Sequence, residues 1–378
     1  MRRIVAIINR IQSGGAERQL LMLCGGLADR GWDVEIWSLK KPELDDRTLD
    51  LMKESEKRGV RFDGRGGGLF SLASKVCRLG KVSKTILWPW GLRSEVVTLM
   101  VSLYNRKLAI VGSLRWAMEE RIATESRIRK YLGSRIVGYI SNTEVSCDLV
   151  RKHLPASAEK RFFVVPNIGS RDTSNQIVDL PNEAPEKLEI VMVGHFRTWH
   201  KGYDLLPALL RLLDEQNVSV RIRLAGSNDG SGDFLRELAG AEFQERFEYL
   251  GLVTDVRDEL CASHLYLMMS RAEGMSNSLM EAMQVGLPCI STRVGDVGKV
   301  FKDKEHVLVA ECEDVNGIAK CIRNACLNWR QTREMASRAR EFCSGYIDQN
   351  RNEGKADQAL RLLFDETFGI QPEPSFLS

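Results

Sequence analysis

Two glutamates stand eight positions apart in the run Ser270-Arg271-Ala272-Glu273-Gly274-Met275-Ser276-Asn277-Ser278-Leu279-Met280-Glu281. Glu273 follows an apolar strand candidate at 265–269. Glu281 falls inside a helix that the pattern starts near Asn277 and stops at Gly286, with Pro288 behind it. Free N–H groups and the positive dipole end at Ser276, Asn277 and Ser278 favour a phosphate. Glu281 is one turn further in, about 6 Å along the axis at 1.5 Å per residue. That span suits a nucleoside diphosphate, with Glu273 on sugar hydroxyls at one end and Glu281 on a ribose at the other. The same spacing also suits a plain helix whose Glu281 is exposed and whose Glu273 only favours the dipole.

Two further loops carry usable chemistry. Val193-Gly194-His195-Phe196-Arg197-Thr198-Trp199-His200-Lys201-Gly202 again links a strand to a helix, and its cations suit a diphosphate leaving group. Solvated surface cations would read the same way. Gly14-Gly15-Ala16-Glu17-Arg18 follows the first apolar run, Ile4 to Ile8. It lacks the Lys-Ser/Thr of a P-loop and the third glycine of a dinucleotide fingerprint, and a tight turn would also account for it. There is no Asp-x-Asp, since Asp255-Val256-Arg257-Asp258 has the wrong spacing. The nine cysteines are scattered without a C-x-x-C pair, which reads as reduced thiols in a cytoplasmic protein. No metal and no resident cofactor is expected.

The elements that must hold these loops alternate. A strand at 4–8, a helix through Leu20, Leu23 and Leu27 ending at Gly31, and a strand at 34–39 argue for a parallel α/β sheet. The order restarts with strands at 188–193, 220–225, 247–250 and 265–269, and a helix at 204–213. A polar stretch between the halves reads as a linker. The expected organisation is a first domain at 1–168, a linker at 169–185, a second domain at 186–350, and a C-terminal helix and tail at 351–378. Two doubly wound domains of this kind bind ligands at the carboxyl ends of their strands, in a cleft between them.

Taken together the motifs resemble glycosyltransferase family 4, the retaining transferases of GT-B fold. Val164-Val165-Pro166-Asn167-Ile168 is similar to the family's V-x-P-N-G segment, with isoleucine where glycine is usual. Gly194 to Gly202 resembles its G-R…K-G loop, Leu224-Ala225-Gly226 and Tyr249-Leu250-Gly251 its two glycine-ended strands, and Glu273 to Glu281 its Glu-x7-Glu motif. Gly295-Asp296 stands where the family often has a glycine pair. The resemblance implies two Rossmann-like domains facing each other across a cleft, the first binding acceptor and the second a nucleotide-diphosphate sugar. It implies that Glu273 binds hydroxyls of the donor sugar and Glu281 the ribose. Asn277, Ser278 and Leu279 would offer N–H groups to the diphosphate, and Lys201 with an arginine would neutralise it. Gly14 and Gly15 would allow close approach, and Gly226 and Leu252 would line the donor site. The family's arginine follows its glycine directly. Here that position is His195, and Arg197 comes two residues later, so the second cation is one or the other. Many members carry a histidine in the first domain, near the donor's anomeric centre; the matching stretch Val111-Gly112-Ser113-Leu114-Arg115 has none, so either Arg115 takes that place, on the acceptor side, or the function has drifted. Transfer with retention, through same-face attack with the leaving phosphate as base, is the implied chemistry. A sugar-nucleotide epimerase or a silent sugar-nucleotide-binding subunit would share these residues.

Composition bounds the partners. The chain has 378 residues with 43% hydrophobic and 28% charged, as in a globular protein. No stretch approaches eighteen consecutive apolar residues, and Asn9 and Arg10 cut the first apolar run short, so neither a membrane span nor a signal peptide is expected. The net charge of +3 hides an asymmetry: residues 1–180 hold 31 Lys and Arg against 20 Asp and Glu, a net of +11, and the remainder nets −8. A basic half fits an anionic partner, here a glycan or lipid-linked acceptor and an anionic membrane surface. No nucleic-acid recognition motif is present. Two segments of the first half could be amphipathic. At 69–84, Leu69, Leu72, Val76 and Leu79 cluster opposite Lys75, Arg78, Lys81 and Lys84, a candidate for docking a cytoplasmic enzyme on the membrane face. At 92–107, Leu92, Val96, Leu99, Met100 and Leu103 form a stripe expected to pack on the first sheet.

Overall fold

The computed structural model describes residues 2–12, 14–64, 66, 68–82, 84–102, 107–115, 135–154, 161–169, 176–194, 199–226, 240, 242–253 and 255–371. It divides into two compact units, residues 1–168 with 348–378, and residues 169–347.

The first unit runs β1 (Arg3–Ile8), α1 (Gly15–Asp29), β2 (Asp33–Ser38), α2 (Asp46–Lys57), β3 (Arg61–Asp63), α3 (Gly68–Val82), β4 (Thr85–Trp90), α4 (Leu92–Ser102), β5 (Leu108–Leu114), β6 (Ile136–Ser141), α5 (Glu144–His153) and β7 (Arg161–Val164). The strands pair in the order β3-β2-β1-β4-β5-β6-β7, and all are parallel. A parallel sheet needs helices on both faces, so its strands bury every side chain rather than alternate ones. In β1, Ile4, Ala6 and Ile8 enter the core under α1, while Val5 and Ile7 enter the opposite core with α3 and α4.

The second unit runs β8 (Leu188–Val193), α6 (Leu206–Glu215), β9 (Val220–Ala225), β10 (Phe247–Gly251), α7 (Val256–Cys261), β11 (Leu265–Met268), α8 (Asn277–Gln284), β12 (Cys289–Thr292), β13 (Leu308–Ala310), α9 (Val315–Leu327) and α10 (Trp329–Tyr346). Its parallel order is β10-β9-β8-β11-β12-β13. The chain winds outward from β8 to β10 and then returns to β11 on the other side of β8. The loops after β8 and β11 therefore open away from each other's helices, which makes the ligand crevice of a doubly wound sheet.

Several expectations are corrected. The final helix α11 (Gln349–Phe368) is not a free appendage, for it belongs to the first unit. Ala356, Ala359, Leu360, Leu363 and Phe364 join the core over α1, and Trp32 Nε1 donates to Asp357 at 2.7 Å. Within the segment read as a linker, residues 176–185 are strapped to the second unit: Val178 N donates to Val285 O at 2.9 Å, and Trp329 Nε1 donates to Pro181 O at 2.8 Å. In α3, Leu72, Val76 and Leu79 are spent on the core. Lys75 pairs with Asp63 at 2.8 Å beneath the Trp37 ring, and Lys84 donates to Phe368 O at 2.9 Å, so the apolar side of this stripe packs within the first unit. The side chains of Leu69 and Lys81 lie outside the described residues. In α4 the buried face is Ser94, Glu95, Thr98 and Leu99, and Met100 is 52% exposed. Polar residues enter because Ser94 and Thr98 satisfy their hydroxyls on the carbonyls of Trp90 (2.8 Å) and Ser94 (2.6 Å). Leu103 lies outside the described residues.

Glu353 of α11 is buried between two guanidinium groups, with Arg30 Nη1 at 2.8 Å and Arg58 Nη2 at 3.1 Å. Removing one partner of a buried pair strands the other charges. Glu353→Ala is expected to lower stability by about 3 kcal/mol, read as an earlier midpoint in urea. A midpoint within error of the parent would mean that α11 is held by its apolar face alone.

Candidate functional site

The residues singled out in the second unit gather at the carboxyl edge of its sheet. Met269 and Ser270 follow β11, and Glu273 sits in the loop that leads into α8. Lys201 lies in the loop after β8. The two meet as an ion pair, Lys201 Nζ donating to Glu273 Oε1 at 2.6 Å, with both side chains largely buried. Ser270 Oγ donates to the same oxygen at 2.9 Å. The arrangement places an ammonium, a carboxylate and a helix N-terminus side by side.

Ser276 is the N-cap of α8, and its Oγ accepts from Leu279 N at 3.5 Å. Leu279 must release that long bond to reach a phosphate, and Asn277 and Ser278 bring first-turn N–H groups to the same helix end. The Ser278 hydroxyl meets the Tyr266 phenol at 2.8 Å, which fixes the first turn of α8 to β11. Burial pushes that phenol up. Glu281 is 7% exposed, one turn into the helix.

Close backbone approach explains two glycines here. Gly226, after β9, has φ +146°, and a Cβ on it would stand 1.9 Å from Gly194 O. Gly202 has φ +72°, and a Cβ would stand 2.2 Å from Met269 O, so only glycine lets the Lys201 loop lie on the end of β11. Leu252 follows β10 and is 64% exposed at the same edge. His195 and Arg197 lie outside the described residues.

Arg271 is a positioning residue that the sequence reading passed over. Its side chain is 7% exposed and its guanidinium grips Asp204 through two bonds of 2.7 Å, Trp199 O at 2.7 Å and Glu313 at 2.7 Å, with Trp199 stacked beneath it. Arg271 N also donates to His200 O at 2.7 Å. One side chain thus pins the loop that carries Lys201 to the loop that carries Glu273. The available signal was an arginine directly after a buried strand, next to a glutamate already under suspicion.

In the first unit, Gly14 and Gly15 open α1, where burial pushes the Glu17 carboxyl up. Gln19 of α1 clasps the backbone of Ile168, Nε2 donating to its O at 2.8 Å and Oε1 accepting from its N at 2.6 Å. Arg115 follows β5 and lies over the Trp90 ring at 4.0 Å, with Nη1 3.5 Å from Asn167 Oδ1. Burial pushes its guanidinium down to about 9.

Among the described residues, no group of three or more His, Cys, Asp and Glu could hold a metal ion, and no helix is long and apolar enough to cross a membrane.

Known proteins are similar to this chain. Residues 187–328 match the family model described as "Glycosyl transferases group 1", which spans the loops of Lys201 and Glu273 and the helix of Glu281. N-acetyl-alpha-D-glucosaminyl L-malate synthase of Bacillus anthracis is 27% identical over 176 residues, 47% of this chain and 45% of that protein. The chain thus spans less than half the length of the first curated relatives it matches. The lipopolysaccharide core biosynthesis glycosyltransferase LpsE of Rhizobium meliloti is 25% identical over 369 residues, 93% of this chain and 96% of that one. Among solved structures, HepE of Anabaena in complex with UDP and glucose superposes with a TM-score of 0.77 at 18% identity, covering 96% of this chain and 100% of that one, and so shares the fold.

The hydrogen bonds from Arg271 hold the Asp204 carboxyl below its ordinary 3.8, against the opposing effect of partial burial. The pair therefore stabilises the fold above that pH and ceases to do so as pH falls through the lowered value. Asp204→Asn should flatten the acid limb of the stability curve below pH 3.8. Arg271→Ala should speed amide exchange across residues 199–205 by roughly tenfold or more with little global change. Unaltered exchange there would remove Arg271 from its positioning role.

Proposed function

This chain has the GT-B fold and is related to the group 1 glycosyl transferases, and we propose that it moves a sugar from a nucleotide-diphosphate sugar to a glycan or lipid-linked acceptor, with retention at the anomeric carbon. The observation that carries this reading is the Lys201–Glu273 pair set against the first turn of α8 at the sheet's topological switch point.

In this reading the donor diphosphate lies over the N-terminus of α8, where Asn277 and Ser278 direct N–H groups at it. Lys201 leaves Glu273 for the diphosphate and stabilises the charge that grows as the glycosidic C–O bond breaks. Glu273 then accepts hydrogen bonds from hydroxyls of the donor sugar, and Glu281 from those of the ribose. The acceptor oxygen attacks on the face the diphosphate leaves, and its proton passes to a phosphate oxygen. Uridine diphosphate is the first nucleotide to try, given the ligand of the Anabaena structure. The relatives' names, a glucosaminyl malate synthase and a lipopolysaccharide core transferase, support glycoconjugate synthesis as the setting. The +11 of residues 1–180 supports an anionic partner on the acceptor side, a membrane surface included.

A donor-hydrolysis screen across UDP-, GDP- and ADP-sugars tests the reading. Release of free sugar from one nucleotide class is expected, and release from none with an intact fold would count against it. Glu281→Ala should weaken binding of the free nucleoside diphosphate by about 1.5–3 kcal/mol, the range for a hydrogen bond to a charged group, as calorimetry would measure. Glu273→Ala should leave that binding intact while turnover falls. Lys201→Ala should reduce turnover by something like 10²–10³-fold. Loss of diphosphate binding in Glu273→Ala would reverse the division of labour between the two glutamates.

A further inference from the structure

The carboxyl edge of the first unit's sheet carries a cation that no carboxylate among the described residues neutralises. Arg115 leaves β5 directly after Leu114, beside the end of β6, where Asn142 N donates to Leu114 O at 3.2 Å. One corner of its guanidinium is used, Nη1 reaching Asn167 Oδ1 at 3.5 Å. One face is covered by the Trp90 ring at 4.0 Å. Nε and Nη2 are closed off from solvent and have no hydrogen-bond partner among the described residues, although part of the residue stays accessible. Among the described residues, no carboxylate pairs with this side chain.

Those two nitrogens are the same edge of the fork. That edge binds two oxygens of a carboxylate or phosphate side by side. Further unsatisfied polar atoms stand close in the fold. Ser113 lies two residues back on the same side of β5, and its Oγ has no partner. The Trp90 Nε1 donor and Asn142 Oδ1 acceptor are likewise unused, while Asn142 Nδ2 shares Asn167 Oδ1 with Arg115 at 3.3 Å. Buried polar atoms in proteins are almost always paired, and a buried charge without a counter-ion destabilises the fold that holds it. Four residues with unused polar atoms at the neighbouring ends of β4, β5 and β6 mark a place built for something that the described residues do not supply. The electron-poor guanidinium edge and two neutral donors ask for an oxyanion, and the amide oxygen for a neighbouring hydroxyl.

We propose that Arg115, with Ser113, Trp90 and Asn142, forms a subsite for an oxyanion of the acceptor, a phosphate ester or carboxylate that also carries a free hydroxyl. This deepens the glycosyl-transfer reading and rests on it. The acceptor is then selected for negative charge by the first unit alone, through a fixed fork rather than by the diffuse basic surface. Trp90 holds the guanidinium plane so that its Nε–Nη2 edge keeps one direction, and Asn167 keeps it from rotating.

Thermal denaturation and calorimetry with inorganic phosphate, acetate and UDP test the subsite on the full chain. Millimolar phosphate or acetate should raise the Tm of the parent protein. In Arg115→Met the basal Tm should rise, because an uncompensated buried charge is gone, and the anion response should vanish. Arg115→Lys, which keeps a charge but loses the fork, should bind the anion at least threefold more weakly, and it decides the matter if the methionine variant does not fold. The affinity for UDP should stay within about twofold in both variants. A response that persists without the guanidinium, or a parent protein that ignores both anions, overturns the subsite. A tenfold loss of UDP affinity in Arg115→Met would assign the anion to the donor diphosphate and overturn the acceptor assignment. If the parent protein hydrolyses no nucleotide sugar yet its anion response depends on Arg115, the transfer reading fails while the subsite stands.

Discussion

The second unit is organised around one ion pair, Lys201 with Glu273, and that pair exists because the sheet changes direction between β8 and β11. Seventy-two residues separate the two side chains, and no local preference could join them. The winding of the chain brings the ends of β8 and β11 together, and the loops that follow each strand are the only segments free to meet there. Much of the surrounding sequence serves this meeting. Gly202 removes the side chain that would strike Met269 O, Gly226 yields to Gly194 O, and Arg271 ties one loop to the other through Asp204 and Trp199 O. The helix α8 is held in the same frame by Tyr266 and Ser278.

The two units solve the problem of buried charge in different ways. In the second, each buried cation has its carboxylate close by: Lys201 has Glu273, and Arg271 has Asp204 and Glu313. The back of the first unit does the same, with Glu353 between Arg30 and Arg58, and Arg2 on Asp365. Among the described residues, Arg115 departs from that rule at the strand ends. Stability argues for pairing at every other place, so an exception at a sheet's carboxyl edge is a statement about binding. The C-terminal helix fits the same scheme. By burying its apolar face over α1 and its Glu353 between two arginines, it completes the first unit's core.

How much of this was legible depends on the range of the interaction. Strand and helix positions are written in short-range patterns. The β-branched run at 4–8, the leucines of α1 and the glycine-ended strands at 220–226 and 247–251 all announce themselves within ten residues or so. The N-cap at Ser276 and the end of α8 before Gly286 are equally local. Amphipathic stripes are weaker guides. Both α3 and α4 show apolar faces, but a stripe does not say whether it meets a sheet or a membrane. In α4 the hydroxyls of Ser94 and Thr98, satisfied on their own backbone, let polar residues take the buried face and leave Met100 outside.

Residue types and spacing alone determined the α/β class, the candidate carboxylates Glu273 and Glu281, the cation Lys201, and the loops that carry them. These follow from chemistry and periodicity that act within a turn of helix or a pair of strands. Tertiary structure alone decided that Lys201 meets Glu273, that Arg271 clamps their loops, that the last helix returns to the first unit, and that Arg115 has no counter-charge among the described residues. Each of these depends on which strands lie side by side. Strand order is set by the burial of whole faces of a sheet, a property of the assembled chain that no single segment carries.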